Sequence, residues 1–376
     1  MPYEFPADYL TARHQFRTLA AERGARLEAF AIKPVGPDGE PLTIDIALLG
    51  DERPARVVVV SSGLHGVEAP LGSAVQAAWL SDPNASGSLP PGAAVVLLHA
   101  LNPFGFAWSR RVNEGNVDLN RNAVNQGEVY QGCPARYAEL DGLLNPRRPP
   151  RLFDSFLFEA LRAQFRYGLP AVKQAIAGGQ YEYPLGLFFG GNERSRTVEI
   201  LAEGLPRWVG DAEHIVHIDI HTGLGRWATC RLLLNDVEPP KHSWLAEGFG
   251  VGAFESPDPR GTAYETRGDL LNWCGQSLFP DRRYDGLCAE FGTYPGIVVL
   301  TALRAENQGH HWGDPDARAC RLAKRLIREA FSPASPRWRA ATTAHGLAII
   351  HQAIAACFPS KTPAHPAPGE VSGGLA

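Results

Sequence analysis

A histidine and a glutamate three positions apart, His65 and Glu68, are the strongest starting point for chemistry in this sequence. An imidazole after a strand and a carboxylate in the next helical turn can reach one metal ion, and zinc accepts both as ligands. The pair alone is a weak signal, because the chain contains 12 histidines and 40 acidic residues. Taken alone, such a pair is more often a loop histidine and a helix-start glutamate beside the positive end of a helix dipole. A metal site therefore requires a third ligand.

That third ligand is expected at the end of another central strand. His221 ends the apolar segment 215–221 and is followed by Gly223, a turn residue. Side chains alternate along a strand, so His217 and Asp219 share the face of His221. Asp219 is then either the acceptor that orients His221 or a buried polar group satisfied elsewhere, and the sequence leaves both open. His217 is expected to be structural.

Other histidines fit a metal site less well. His99 ends another predicted strand and is the best alternative ligand, although it can instead serve the turn that follows it. His214 lies at the start of a strand, whereas open α/β sheets bind ligands at the carboxyl ends of their strands. His310 and His311 are expected in a polar surface loop.

Hydrophobic periodicity predicts the elements that position these residues. The continuous apolar run 56–60 is typical of a buried parallel strand, and a glycine-containing loop carries the chain from it to His65. A helix over about 69–80 and a strand over 93–99 follow. This order implies a βαβ crossover, which delivers His65 to the carboxyl edge of a parallel sheet.

The rest of the chain alternates in the same way. Further strands are predicted over 42–49, 215–221, 230–234, 287–291 and 296–300, and helices over 8–29, 153–166, 195–209, 317–331 and 342–357. We expect one α/β catalytic domain over residues 1–358, with 126–213 as an inserted helical segment or cap. The stretch 359–376 is rich in Pro, Gly, Ser and Ala and is expected to be disordered.

Composition excludes several classes of function. A net charge of −4 argues against nucleic-acid binding, which needs a basic face. The chain has no apolar run of membrane-spanning length and no secretory signal at its start. Its six cysteines are scattered without CxxC pairs, which argues against a disulfide framework. We therefore expect a reduced, cytoplasmic protein without nucleic-acid or membrane partners, and the oligomeric state stays open.

Several motifs follow the order found in the M14 zinc carboxypeptidase family. These are His65-Gly66-Val67-Glu68, Asn102-Pro103-Phe104-Gly105, Asn116-Val117-Asp118-Leu119-Asn120-Arg121-Asn122, His221, Tyr264-Glu265-Thr266-Arg267-Gly268 with Trp273, and Ala289-Glu290-Phe291-Gly292-Thr293. The chain resembles this family over about residues 50 to 300 and is most similar to its DUF2817 branch. It departs from the family in a longer stretch between Arg121 and His221 and in Phe104, where an aspartate is usual.

The resemblance implies a fold and a cofactor. The fold is a mixed, mostly parallel, eight-stranded sheet flanked by helices, and the cofactor is one zinc ion per chain, held by His65, Glu68 and His221. Glu290 would act as general base. Arg111, or its neighbour Arg110, would stabilise the developing oxyanion.

Substrate contacts are implied in the same way. Asn120 and Arg121 would hold a terminal carboxylate, which a guanidinium grips with two hydrogen bonds, and Tyr264 would close over the substrate. The implied enzyme is a zinc metallocarboxypeptidase acting on small peptides. Two alternatives stay open: an N-acyl amino acid deacylase of the aspartoacylase or succinylglutamate desuccinylase type, and a non-catalytic binding protein on the same fold.

Overall fold

An eight-stranded mixed sheet lies at the centre of a computed structural model that describes residues 5–83, 89–152, 154–168, 172, 176, 178–234, 243–250, 252–255 and 266–358. The strands are β1 (Arg26–Val35), β2 (Pro41–Gly50), β3 (Arg56–Ser62), β4 (Ala93–His99), β5 (His214–Gly223), β6 (Cys230–Leu234), β7 (Phe254–Glu255) and β8 (Arg283–Gly292). Their order across the sheet is β1-β2-β4-β3-β5-β8-β6-β7. The four neighbours β4, β3, β5 and β8 are parallel, so their carboxyl ends meet at one edge.

Helices cover both faces of this sheet. They are α1 (Tyr9–Glu22), α2 (Ala69–Ser81), α3 (Pro103–Ala107), α4 (Ala135–Leu144), α5 (Phe156–Tyr167), α6 (Arg196–Val209), α7 (Ser243–Phe249), α8 (Leu270–Trp273), α9 (Gly296–Trp312), α10 (Arg318–Phe331) and α11 (Pro336–Cys357). The predicted strand 56–60, helix 69–80 and strand 93–99 form the expected βαβ unit.

Alternating valines in β3 show how the two faces are packed. Val58 and Val60 belong to an apolar cluster with α1, α2 and α11, whereas Val57 and Val59 belong to a second cluster with α6 and α8. This two-residue period is that of a strand buried on both faces. The parallel strands that carry the candidate ligands are thus fixed from both sides.

A third apolar cluster lies beside the sheet edge and joins α4, α9 and α10. Only part of the predicted insertion 126–213 belongs to it, because α6 packs on the sheet as a regular layer helix. Tyr137 and Leu140 of α4 contribute to the cluster, together with Phe188 from the segment after α5. The insertion therefore supplies a wall next to the carboxyl ends of the strands.

Three local predictions were wrong. The segment 296–300 is not a strand but the first part of α9, because its β-branched run Ile297-Val298-Val299 follows Pro295, which starts a helix. The helix predicted over 8–29 ends at Glu22, and the chain turns at Gly24 (φ 71°) into β1. His310 and His311 lie in the last turn of α9 rather than in a loop.

Two predictions concern parts of the chain that lie outside the described residues, namely Tyr264 and the tail 359–376. Within the described ranges, none of the helices has the length and apolar character needed to cross a bilayer.

Candidate active site

Two neighbouring parallel strands bring the candidate ligands together. His65 follows β3 and precedes the single 3-10 turn Gly66–Glu68, which leads into α2. His221 lies near the end of β5, the parallel neighbour of β3. Gly66 is required here, because a Cβ atom on it would lie 2.0 Å from the carbonyl carbon of Gly105. The backbone of the turn can therefore approach the loop that carries α3, and His65 and Glu68 both point at His221.

His65, Glu68 and His221 form a compact, buried set of candidate ligands, called the ligand set below. One ligand atom from each lies within 4.8 Å of the others, and the three side chains are only 2–4% exposed. His221 Nδ1 lies 3.3 Å from Glu68 Oε2, which also accepts a 2.9 Å hydrogen bond from the Thr222 amide. Two imidazoles and one carboxylate are the protein ligands of a catalytic zinc site that keeps one position open.

A chain of hydrogen bonds lies behind His221. Asp219 Oδ2 accepts from His221 Nε2 at 2.6 Å, and Ser61 Oγ donates to Asp219 Oδ1 at 2.6 Å. His217 Nε2 lies 2.8 Å from Ser61 Oγ, and Tyr284 lies 2.8 Å from His217 Nδ1. Of the two possibilities left open for Asp219, the structure therefore has it bonded to His221. His217 is bonded to Ser61 and Tyr284 and is not part of the ligand set.

Arg111 joins the ligand set to an aspartate that the sequence did not single out. Its Nη2 donates to His65 Nε2 at 2.7 Å, its Nη1 to Glu68 Oε1 at 2.9 Å, and its Nε to Asp118 Oδ2 at 3.2 Å. Asp118 Oδ1 lies 3.5 Å from His65 Nδ1. Since Arg111 donates to Nε2, that nitrogen offers a lone pair toward the site, and a lone pair is what a metal ligand needs. The donor set thus fits a zinc ion.

Arg110 was the other candidate for the oxyanion position, and the structure directs it elsewhere. Its guanidinium is fully buried and pairs with Glu306 at 3.0 Å, with Asn116 at 3.1 Å and with Asn307 at 3.3 Å. The two neighbouring side chains have different partners, and Arg111 is the one that contacts the ligand set. Arg110 does not line the cavity beside it.

Glu290 lies opposite His221 in the register of the parallel pair β5 and β8. Its Oε1 accepts a 2.8 Å hydrogen bond from the Leu224 amide, and its side chain lines the same cavity as the ligand set. Burial, followed by the negative charge of Glu68, raises the pKa of Glu290 to about 7. A carboxylate with such a pKa can accept and return a proton near neutral pH.

The pKa values of the two histidines in the ligand set are shifted in opposite directions. Burial, followed by the nearby guanidinium of Arg111, lowers the pKa of His65 well below its usual value. Burial also lowers the pKa of His221, but the charges and hydrogen bonds of Asp219 and Glu68 outweigh it and hold that pKa well above its usual value. The anionic groups around His221 thus attract a positive charge to this position.

Asn120 and Arg121 lie in the short 3-10 turn Leu119–Arg121, and both line the cavity. Asn120 Oδ1 accepts from the Leu270 amide at 2.9 Å, and the Arg121 carbonyl accepts from Tyr181 at 2.7 Å. Gly268, at φ 69°, allows this packing, because a Cβ atom there would lie 2.2 Å from the Arg121 carbonyl oxygen. Both side chains are therefore held at a fixed edge of the cavity.

The cavity itself has a volume of about 610 Å³ and two unlike ends. One end is polar and contains the ligand set, Glu290, Arg111, Asn120 and Arg121. The other end is apolar and is formed by α4, α5, the start of α9 and the rings of Phe188 and Phe331. Arg111 lies at the junction, 5.6 Å from the Phe188 ring centre and 6.0 Å from that of Phe331.

His99, the alternative ligand considered from the sequence, packs in the protein core instead. Its ring stacks on Phe16 with centroids 4.5 Å apart, and its Nε2 lies 3.0 Å from Ser73 Oγ. His214 pairs with Asp285 at 2.8 Å at the opposite end of β5. In the part of the chain that the structure describes, His65, Glu68 and His221 form the one group with the geometry of a metal site.

Sequence reasoning missed two acidic residues near the site. Asp118 contacts both His65 and Arg111, one with each carboxylate oxygen. The sequence indicated Asp118 only as a member of the motif 116–122. Asp269 caps α8 by accepting from the Asn272 amide at 2.9 Å and lines the cavity. Burial raises the pKa of Asp269. In the sequence, the one sign that Asp269 belongs to the site is that it directly follows the motif Tyr264–Gly268.

Fold and site together define a class: an α/β protein with a buried His-Glu-His set and a neighbouring carboxylate at the carboxyl edge of its parallel strands. The chain belongs to the DUF2817 family, described as proteins of unknown function, whose family model matches residues 5–345. Among curated protein sequences, none matches this chain.

Solved structures similar to this chain include metallocarboxypeptidases. Carboxypeptidase A from Helicoverpa armigera is 13% identical with a TM-score of 0.43, covering 86% of this chain and 74% of that one. A metallo-carboxypeptidase from Burkholderia cenocepacia is 14% identical with a TM-score of 0.41, covering 87% and 70%. Bovine thrombin-activatable fibrinolysis inhibitor, in complex with tick carboxypeptidase inhibitor, is 11% identical with a TM-score of 0.46, covering 92% and 98%.

Proposed function

We propose that this protein is a zinc-dependent hydrolase that cleaves an amide bond next to a free carboxylate, as a metallocarboxypeptidase does on small peptides. The observation that carries the proposal is the buried set of His65, Glu68 and His221, with Glu290 opposite His221 in the strand register. A non-catalytic protein on this fold would need neither the complete ligand set nor a buried carboxylate beside it.

The zinc ion would be held by His65, Glu68 and His221 and would supply a Lewis acid that polarises a carbonyl and acidifies water. Glu290 would take a proton from the attacking water and return it to the leaving amine. Its hydrogen bond from the Leu224 amide uses one carboxylate oxygen and fixes the orientation of the other. Proton transfer by a positioned carboxylate contributes about 10²–10⁴-fold to the rate.

Arg111 would stabilise negative charge that develops on the scissile carbonyl oxygen. Asp118 holds its Nε at 3.2 Å, and the rings of Phe188 and Phe331 flank its guanidinium. These contacts pre-orient the cation, whose side chain is only 12% exposed, and a fixed charge acts more strongly at a buried position than in water. Both Nη atoms face the ligand set and thus the reacting carbonyl.

Asn120 and Arg121 would hold the substrate carboxylate. Arg121 is almost fully buried at the polar end of the cavity, and its backbone is fixed by Tyr181 and Gly268. A guanidinium in such a position binds a carboxylate with two charge-assisted hydrogen bonds. We keep Tyr264, from the same motif as Gly268, as the residue that closes over the substrate.

A second candidate is an N-acyl amino acid deacylase, which would use the same residues. The apolar end of the cavity favours it, because most of the side chains there cannot hydrogen-bond a peptide backbone. We also propose that the protein works in the reducing cytoplasm on small substrates rather than on nucleic acids. All six cysteines are free thiols, which supports that location.

An assay of zinc-loaded protein against two substrate panels tests the proposal. The panels are dipeptides with apolar C-terminal residues and N-acyl derivatives of the same amino acids. We expect Glu290→Gln to lower kcat by at least about 100-fold, because it removes the general base. Glu199→Gln, an exposed position on α6, is the matched control and should leave kcat unchanged. Failure of the zinc-loaded wild type to cleave any member of either panel contradicts the proposal and favours a binding protein.

A further inference from the structure

We infer that the substrate carries a long apolar acyl chain, so that the enzyme hydrolyses long-chain N-acyl amino acids. The inference rests on the second candidate of the proposed function, the N-acyl amino acid deacylase, and names its substrate class. In the reaction, water supplies the oxygen of the new C–O bond of the fatty acid, the amide C–N bond breaks, and the proton taken from water goes to the amine. The evidence lies in the apolar end of the 610 Å³ cavity.

The two ends of the cavity belong to different parts of the fold. Leu119, which precedes Asn120, packs with Leu270 in the cluster under the sheet. The apolar end is built on the separate cluster that joins α4, α9 and α10. A substrate whose carboxylate is bound by Arg121 therefore does not place its amino-acid half in the apolar end.

Arg111 gives the direction in which the acyl half extends. Its Nη atoms contact Glu68 and His65, where the scissile carbonyl must lie, and its guanidinium faces the rings of Phe188 and Phe331. The apolar wall thus begins at the group that stabilises the carbonyl oxygen. Whatever continues from this carbonyl into the apolar end belongs to the acyl half of the substrate.

The chemistry of the wall selects an alkyl chain over a peptide. Among the described residues that α4, α5 and α9 contribute to the cavity, Gln164 is the only one with a polar side chain. Each N–H or C=O group of a peptide would lose its hydrogen bonds to water there without gaining a partner, which is unfavourable. A methylene chain has no such groups and is stabilised by leaving water. A volume of 610 Å³ is also within the range of pockets that enclose an extended ligand.

Helix α5 connects the apolar end with the surface. Leu161 lines the cavity yet is 63% exposed, and Phe158 and Phe165 on the same helix are 64% and 96% exposed. An acyl chain approaching this helix therefore meets an apolar surface that leads into the cavity. Ala160 and Ala163 also line the cavity, and their small side chains leave room for the chain.

The first test is a chain-length series of N-acyl-phenylalanines from acetyl to dodecanoyl, assayed with the zinc-loaded protein. We expect kcat/KM to rise about three- to fourfold for each added methylene until the apolar end is filled, because each buried CH₂ contributes a constant transfer free energy. Equal kcat/KM for acetyl and dodecanoyl substrates overturns the inference but leaves the proposed function standing.

The second test blocks the apolar end. Ala163→Trp fills it, and Ala355→Trp, an exposed alanine of α11, is the matched control. We expect Ala163→Trp to lose most activity on the dodecanoyl substrate, to retain activity on the acetyl substrate and to keep its zinc. Leu161→Glu provides a second variant at an exposed, fold-tolerant position and should lower only long-chain activity. Equal losses on both substrates contradict the inference.

A binding measurement separates this inference from the proposed function. Zinc-loaded Glu290→Gln protein is titrated calorimetrically with N-dodecanoyl-phenylalanine and with N-acetyl-phenylalanine, and the titration is repeated with Ala163→Trp added. Tight binding of the dodecanoyl compound alone, lost with Ala163→Trp, supports the apolar subsite even if the wild type cleaves neither compound. Equal or no binding of the two compounds overturns it.

Discussion

His221 Nε2 lies 2.6 Å from Asp219 Oδ2, and this hydrogen bond determines which ring nitrogen of His221 faces the metal site. Asp219 accepts a hydrogen bond from the Nε2–H group, so Nδ1 is left toward Glu68 Oε2, 3.3 Å away. A carboxylate behind a ligand histidine fixes the ring and raises its basicity as a ligand. The candidate ligand set therefore depends on a residue that is not one of its members.

The first prediction concerns this carboxylate. Asp219→Asn should lower zinc affinity about 10–100-fold, because the amide is uncharged and weakens the support behind His221. Asp285→Asn is the matched control, since Asp285 makes a 2.8 Å contact with His214 at the opposite end of the same strand. Competition titration with a chromophoric chelator measures both affinities. An Asp219→Asn protein that binds zinc as tightly as the wild type contradicts this role.

Arg111 provides the second prediction. Arg111→Ala should lower kcat about 10²–10³-fold through loss of oxyanion stabilisation. Its zinc affinity should be equal to or higher than that of the wild type, because the guanidinium no longer competes for His65 Nε2 and Glu68 Oε1. Steady-state kinetics and zinc titration measure the two effects. A variant with unchanged kcat would remove Arg111 from the proposed mechanism.

Arg110 supplies the contrast to that result. Arg110→Ala removes one of the two cations beside the buried Glu306, because Lys324 Nζ remains 2.7 Å from its Oε1, and should reduce the free energy of unfolding by about 1–3 kcal/mol. The kcat of the folded fraction should stay close to that of the wild type, because Arg110 does not line the cavity. Urea unfolding and active-site titration distinguish the two arginines. A large loss of kcat without loss of stability would reverse their assignment.

The third prediction is the pH dependence of catalysis. A general base must be unprotonated, so kcat/KM should rise about tenfold per pH unit below the pKa of Glu290 and level off above it. Burial and the charge of Glu68 place this pKa at about 7. Bound zinc is positive and can only lower it, so the acid limb should lie at or below neutral pH. An acid limb centred clearly above pH 8 contradicts Glu290 as the base.

His99 provides a fourth prediction, about stability. Burial lowers its pKa to about 3, so below pH 6.5 the unfolded chain binds a proton that the folded protein does not. The contribution of His99 to stability is therefore complete above pH 6.5 and falls by about 1.4 kcal/mol per pH unit as the pH decreases toward 3. Urea unfolding from pH 4 to 7 should show a smaller slope for His99→Asn than for the wild type. The exposed control His345→Asn should keep the wild-type slope. Equal slopes for all three proteins contradict the buried neutral histidine.

The ligand set could be predicted from sequence because strand periodicity places its members at one edge. Apolar runs fix which segments are buried parallel strands, and parallel strands end together. The same reasoning failed for 296–300, where β-branched residues form the start of α9. Pro295 is a local signal for the helix start, but the β-branched run conceals it, and the packing of Val299 against α10 completes the helix.

The sequence also could not predict which of Arg110 and Arg111 faces the ligand set. Ser109 has a φ of 52°, in the left-handed region, and the direction of the following side chains depends on that unusual turn. A serine does not reveal such a conformation in advance. The apolar end of the cavity could not be predicted from the sequence either, because it forms only where α4, α5 and α9 meet across long sequence separations.

The most direct test of the account is the zinc content of the purified protein. Elemental analysis should find about one zinc ion per chain in the wild type, as expected for a single three-ligand site. His65→Ala, Glu68→Ala and His221→Ala should each lose it, and His345→Ala, which replaces an exposed histidine of α11, should retain it. A wild type that stays metal-free after zinc is supplied, or three variants that keep their zinc, would contradict the central claim.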